Sequence, residues 1–265
     1  MFVVVTLDSA RRPGALLRRC LRNCAVEQIP AGEKWFYHIR HYCPPARPDW
    51  KRLCRVLGRE KARLLFPADM VPPSGLGIQR YDASSFYAGV LSRIFYRLLR
   101  SQPRPPGPVA LIDRDAVLQN TAEMLLPLAR QLIVCTNRSR DYVDFIRRAE
   151  LSYGVSPVVS ENGRPLQNAV AVLAPYGAGD ASLPKRAVVL GRAEDGGYYL
   201  TDECFSLPTE VRDLIPAGIP VLEMLAALHE KCGLRLPAEE ICPVLKKGGG
   251  ESSVDGLIFT ISCLT

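Results

Sequence analysis

Leu111 to Tyr142 reads LIDRDAVLQNTAEMLLPLARQLIVCTNRSRDY: an apolar run, a polar turn, apolar residues at helical spacing, a second apolar run and a short polar motif. The spacing predicts a strand, a tight loop, a helix from about Asp115 to Arg130, and a second strand over QLIVCT. Leu118, Ala122, Leu125, Leu126 and Ala129 fall on one face of that helix. Strand, loop, helix and strand in this order make half of a nucleotide-binding unit. The loop of such a unit is G-x-G-x-x-G/A, because glycine permits the tight turn and lets the backbone approach a pyrophosphate resting on the helix N-terminus. Here Asp113 and Asp115 stand at the two leading glycine places and Leu118 at the third.

Outward from this stretch the same alternation continues. SRDYVDFIRRAELSYG predicts a helix stopped by Gly154, and SPVVSE, AVAVLAP, KRAVVLG and GYYLT predict short strands. Val221 to Cys232 predicts a late helix ended by Gly233. KKGGGESS looks flexible, and GLIFTISCL after it predicts a final strand. Strands alternating with helices argue for a mainly parallel sheet covered on both faces.

Before it, SQPRPPGP excludes helix and predicts an extended connector. Upstream, FVVVTL, KWFYHIRHY and ARLLFP predict strands. GALLRRCLRNCA, DWKRLCRVLG with Asp49 as N-cap, and ASSFYAGVLSRIFYRLLR predict helices. The expected organisation is a basic α/β domain over residues 1–102, a proline-rich linker over 103–108, and a Rossmann-like α/β domain with a mainly parallel sheet over 109–265.

Composition sets the class. Of 265 residues, 48% are hydrophobic and 23% charged, as in an ordinary globular protein. No apolar run reaches the length that spans a bilayer, and MFVVVTLDSARR reads as a first strand rather than a signal peptide. Nine cysteines without paired ligand spacing suit reduced thiols, so a cytoplasmic location and no metal site are expected. Charge is uneven: residues 1–105 hold 19 Lys and Arg against 7 Asp and Glu, and the remainder 15 against 20. That asymmetry admits a polyanion-binding module, yet no nucleic-acid motif accompanies it, and nucleic acid is not an expected partner.

LIVCTNRSRDYVDFI resembles the N-R-T/S motif of shikimate dehydrogenases and glutamyl-tRNA reductases, and NAVAVLAPYGAG sits where that superfamily carries a small-residue N-A-T-x-x-G loop. The resemblance covers roughly 109–180. It implies a Rossmann-like fold, with Asn137, Arg138 and Ser139 placed to contact the adenosine ribose and 2′-phosphate of NADP. The front half lacks the serine pair and the N-x-T-x-P-x-K-type segment of shikimate chemistry. The aspartates in the phosphate loop depart from the pattern as well, since two carboxylates repel a pyrophosphate and their Cβ atoms block backbone approach. The alternative role of these aspartates is to start a helix, satisfying its orphan N–H groups.

ALIDRDAV and LIVCTN also resemble motifs of haloacid-dehalogenase-like phosphatases. That resemblance implies Asp113 as nucleophile, Asp115 as general acid/base, Thr136 as the phosphate-binding hydroxyl, and Mg²⁺ held by the carboxylates. Against it, little chain separates Asp113 from Thr136, and no suitable Lys with an acidic pair follows.

Smaller features read as structure. His38 and His41 are expected on opposite faces of a strand, at the surface or an interface. Gly75 and Gly77 near Arg80 are expected in a plain turn, and AEDGGYYL in a turn exposing Glu194 and Asp195. The functional expectation is a non-catalytic or ligand-sensing Rossmann-like protein that has lost its dinucleotide loop and takes a small anionic ligand in an interdomain cleft. An NADP-dependent oxidoreductase, a Mg²⁺-dependent phosphatase and a polyanion-binding module are the alternatives.

Overall fold

The computed structural model describes residues 1–8, 24–42, 48–102, 107–161, 164–235, 242–248, 250–254 and 256–257. Contacts divide the chain into two units, Met1–Ala83 with Leu207–Leu236, and Ser84–Ser206 with Pro237–Thr265.

The first unit begins with β1 (Val3–Asp8), β2 (Cys24–Ala31), β3 (Lys34–Tyr42), α1 (Trp50–Leu57) and β4 (Leu64–Leu65). Its sheet runs β2-β3-β1-β4; β1 is parallel to β3 and β4, and β2 is antiparallel to β3. Asp49 caps α1 by accepting from the Arg52 N–H, and Gly58 ends it at φ 56°. Leu53 and Leu57 of α1 pack with Val3, Val5, Ile39 and Leu64. β2 was not expected, because Pro30 and the polar Glu27–Gln28 pair break the strand pattern. Its end position in the sheet order makes that proline tolerable.

The second unit opens with α2 (Ser84–Arg100) and continues through β5 (Pro108–Ile112), α3 (Gln119–Leu125), β6 (Gln131–Cys135), α4 (Val143–Tyr153), β7 (Val158–Ser160), β8 (Ala171–Leu173) and β9 (Val188–Leu190). All five strands are parallel, in the order β7-β6-β5-β8-β9. The strand order therefore reverses at the β5/β8 boundary, the arrangement of a Rossmann-like doubly wound sheet. The residues of β5 are buried after Pro108, as strands covered on both faces are. α2 packs on β8 and α3, and α3 on β6 and α4. Ala110, Ile112, Ile133 and Val172 point the other way, into a cluster with Leu166, Ala169 and Ala178. Among the described residues this second face is therefore covered by the short 3-10 helix Arg164–Asn168 and irregular chain rather than by α-helices.

The chain then returns to the first unit as α5 (Thr209–Arg212) and α6 (Val221–Cys232), and the hairpin of β10 (Val244–Lys247) and β11 (Gly250–Ser253) follows in the second. α6 packs on β3, and Arg80 ties it to the β4 region by pairing with Glu223 while donating to the Phe66 and Pro67 carbonyls. Arg80 is thus committed to the scaffold, and the Gly75–Gly77 segment is a turn.

Several expectations change. The units do not divide at 103–108, because α2 packs with the parallel sheet and α6 with β3. Residues 103–106 lie outside the described residues, as do most of the helix expected over 14–25, with Arg18, Arg19 and Arg22, and most of the final strand expected over 256–264. KKGGGESS contributes to the β10–β11 hairpin. GYYLT makes only isolated bridges, Tyr198 to Leu190 and Tyr199 to Lys246. His38 and His41 do face opposite ways, but His41 is buried: its Nε2 accepts from the Asp49 N–H and its Nδ1 meets Cys24 Sγ at 3.2 Å.

Candidate functional site

In open parallel sheets, ligands bind outside the carboxyl ends of the strands, where the strand order reverses. Here that place is framed by the loops leaving β5, β6, β8 and β9.

The β5 loop turns immediately. Asp113 is 1% exposed, and its carboxylate accepts from the Val117 N–H at 3.0 Å and the Leu118 N–H at 2.7 Å. The Tyr142 hydroxyl donates to Oδ2 at 2.6 Å. Ala116, at φ 57°, takes the left-handed conformation that a glycine would adopt without strain. These features delay α3 to Gln119, four residues beyond the expected start, and Pro127 then limits it to two turns. Burial, the hydrogen bond to Asp113 and the negative charge of Asp113 all raise the Tyr142 pKa above the ordinary tyrosine value.

Asp115 is exposed, and its backbone carbonyl accepts from the Arg138 guanidinium at 3.5 Å. Thr136 is buried at the end of β6; its hydroxyl donates to the Arg114 carbonyl at 3.4 Å and accepts from the Arg138 N–H at 3.1 Å. Asn137 donates its N–H to the same Arg114 carbonyl. The Arg138 guanidinium is exposed and paired with Asp141 at 2.7 Å, and the Ser139 hydroxyl donates to Glu161. The structure therefore buries Asp113 and Thr136 at adjacent strand ends, while Asp115, Asn137 and Arg138 are exposed and Ser139 is half-buried.

Sequence inspection missed Arg114, Arg192 and Tyr87. The Arg114 guanidinium donates to the Ala178 carbonyl at 3.1 Å and lies 3.7 Å from the fully exposed Asp180. It crosses from the β5 loop to the β8 loop, bridging the reversal point of the sheet. A Cβ added to Gly179, which sits at φ 57°, would fall on this guanidinium. Arg192, after β9, donates to the Pro175 carbonyl and stacks 4.4 Å over the Tyr87 ring. Burial pushes the Tyr87 pKa up to about 12, partly opposed by the Leu200 N–H and the Arg192 charge. Asp195 is half-buried rather than exposed: it accepts from the N–H groups of Ala178 and Arg192, pinning the β8 and β9 loops together. The only hint of this in sequence was the acidic pair within a turn.

The N–H groups of Val117 and Leu118, at the strand end where a Rossmann-like loop meets its ligand, are held by Asp113. Among the described residues no group of three or more His, Cys, Asp or Glu gathers to hold a metal, and no helix is long and apolar enough to cross a membrane.

No protein-family model matches the chain, and no curated protein sequence matches it. Among solved structures it is similar to a lysine cyclodeaminase that recognises L-lysine, L-ornithine and L-2,4-diaminobutyric acid, with 21% identity and a TM-score of 0.29. That match covers 49% of this chain and 38% of the cyclodeaminase. It is also similar to the L-tryptophan dehydrogenase of Nostoc punctiforme, with 14% identity and a TM-score of 0.35, covering 98% of this chain and 80% of that one. The class defined by strand order and parallel pairing is Rossmann-like α/β.

Proposed function

We propose that this chain is a Rossmann-like protein that binds a small anion without catalysis and without a dinucleotide. The observation that carries this is the Asp113 carboxylate on the Val117 and Leu118 N–H groups, where a nucleotide phosphate would rest. The protein supplies its own anion there. Arg114 is the anchor for the external one: its guanidinium is partly exposed, and its partner Asp180 is fully solvated and exchangeable. An exposed pair of this kind contributes at most about 1 kcal/mol, so a ligand carboxylate or phosphate competes with it readily.

The NADP-dependent oxidoreductase is a second hypothesis, favoured by one observation. Arg138 is exposed just after the second strand of the unit, within reach of a ribose 2′-phosphate in such folds. The phosphatase hypothesis is less favoured, since all three donors around Asp113 occupy the oxygens that a nucleophile must present.

Calorimetry with NADP(H) and NAD(H) separates the first two. No binding is expected at millimolar cofactor, and a micromolar Kd would overturn the non-dinucleotide proposal. Loss of wild-type anion binding in Arg114→Gln would support Arg114 as the anchor.

A further inference from the structure

We propose a second, independent anion-binding site at the opposite, amino-terminal edge of the same sheet. A cleft of about 640 Å³ opens there between the chain entering β8 and the chain entering β9. That volume lies in the usual range for small-molecule sites, about 300–1,000 Å³.

Two tight turns build its walls. One is the last turn of the 3-10 helix Arg164–Asn168, where the Ala169 N–H bonds to the Leu166 carbonyl at 2.9 Å across Gln167 and Asn168. In the other, the Ala187 N–H bonds to the Pro184 carbonyl at 3.2 Å, and the central residues are Lys185 and Arg186. Both turns are anchored from below. Leu166 and Ala169 belong to the core cluster, Leu183 and Ala187 pack against it, and Pro184 is buried. Gln167 Nε2 donates to Ser182 Oγ at 3.4 Å and links one wall to the other. The central side chains thus stand on fixed backbone rather than on a loose loop.

The chemistry of the walls points to one class of ligand. Two cations and three neutral polar side chains line the cleft, and no carboxylate does. Among the described residues, Lys185 and Arg186 make no ion pair, whereas Arg114, Arg138 and Arg148 each have an acidic partner. A guanidinium fork, an ammonium and amide N–H groups together match a compact anion carrying two or more negative oxygens, a phosphoryl compound or a polycarboxylate. Metabolite size follows from the volume, and a polymer would need a longer basic track than one turn offers.

The test uses the full chain, with sodium pyrophosphate and sodium citrate as separate probes. Binding is read by calorimetry and by backbone amide shifts, at constant ionic strength balanced with chloride. Saturable binding of at least one anion is expected, with shifts confined to residues 166–170 and 182–187. The Lys185→Gln/Arg186→Gln variant should weaken it at least tenfold, and the difference between the two probes identifies the phosphoryl or the carboxylate class. Both substituted side chains are exposed, so folding should be unaffected, which a thermal melt verifies. Absence of saturable binding by either anion overturns the proposal. Binding undiminished in the double variant, or lost only in Arg114→Gln, also overturns it and assigns the anion to the carboxyl edge.

Discussion

The Tyr142 hydroxyl donates to Asp113 Oδ2 at 2.6 Å, joining the start of the β5 loop to the turn that follows β6. Both residues are buried, so neither group can turn to water when its partner is removed. Asp113→Ala should therefore cost about 3 kcal/mol, since it strands the Leu118 N–H and the Tyr142 hydroxyl together. Tyr142→Phe should cost about 1–2 kcal/mol. Denaturant unfolding of both single variants and the double variant measures the coupling. Strictly additive losses would show that the pair does not act as a unit.

Alkaline pH should destabilise the fold through its buried tyrosines. Burial is the largest cause of the raised pKa at Tyr81, Tyr87 and Tyr142. Below the ordinary tyrosine pKa of about 10, folded and unfolded forms are both protonated and the contribution to stability is fully present. Above it the unfolded chain ionises first, and stability falls as the pH climbs through the Tyr87 value of about 12. The urea midpoint should decline over this window. Absorbance at 295 nm (from phenolate) should show a group of tyrosines ionising only together with unfolding; simple titration of all ten residues near pH 10 would contradict this.

Gly179 and Arg114 share one space. Gly179→Ala should cost about 1–2 kcal/mol, from the left-handed backbone and from displacing the guanidinium off the Ala178 carbonyl. In an Arg114→Ala background the penalty should shrink to the backbone part, about 1 kcal/mol. An equal penalty in both backgrounds, by thermal or chemical unfolding, would mean that Arg114 does not lie against Gly179 in solution.

Ala116 is the one described non-glycine residue with positive φ. Relief of left-handed strain and the added entropy of an unfolded glycine nearly cancel, so Ala116→Gly should change stability by no more than about 1 kcal/mol in either direction. Ala116→Val should lose at least about 1 kcal/mol, because a β-branched side chain tolerates this conformation least. A valine variant as stable as wild type would show that the loop relaxes out of the left-handed region.

Local signals carried much of the fold. β3 and α6 match the expected segments residue for residue, because each is long, periodic and bounded by its own cap or turn. The five short strands of the parallel sheet were readable as apolar runs between breakers, and their alternation with helices announced a parallel sheet. Asp113 and Asp115 were visible in the loop after the first strand of this sheet too, although their contacts were not. Tertiary structure decided the rest, because each remaining feature depends on residues distant in sequence. The partner of Asp113 is a tyrosine 29 residues away. Arg114 meets a carbonyl 64 residues away, and no local pattern marks either residue. Unit membership was decided in the same way: α2 and α6 look alike as amphipathic helices, and only the sheet that buries each apolar face assigned one to the parallel sheet and the other to β3. Periodicity tells a helix that it must bury a face, but the identity of the covering surface is a property of the folded chain.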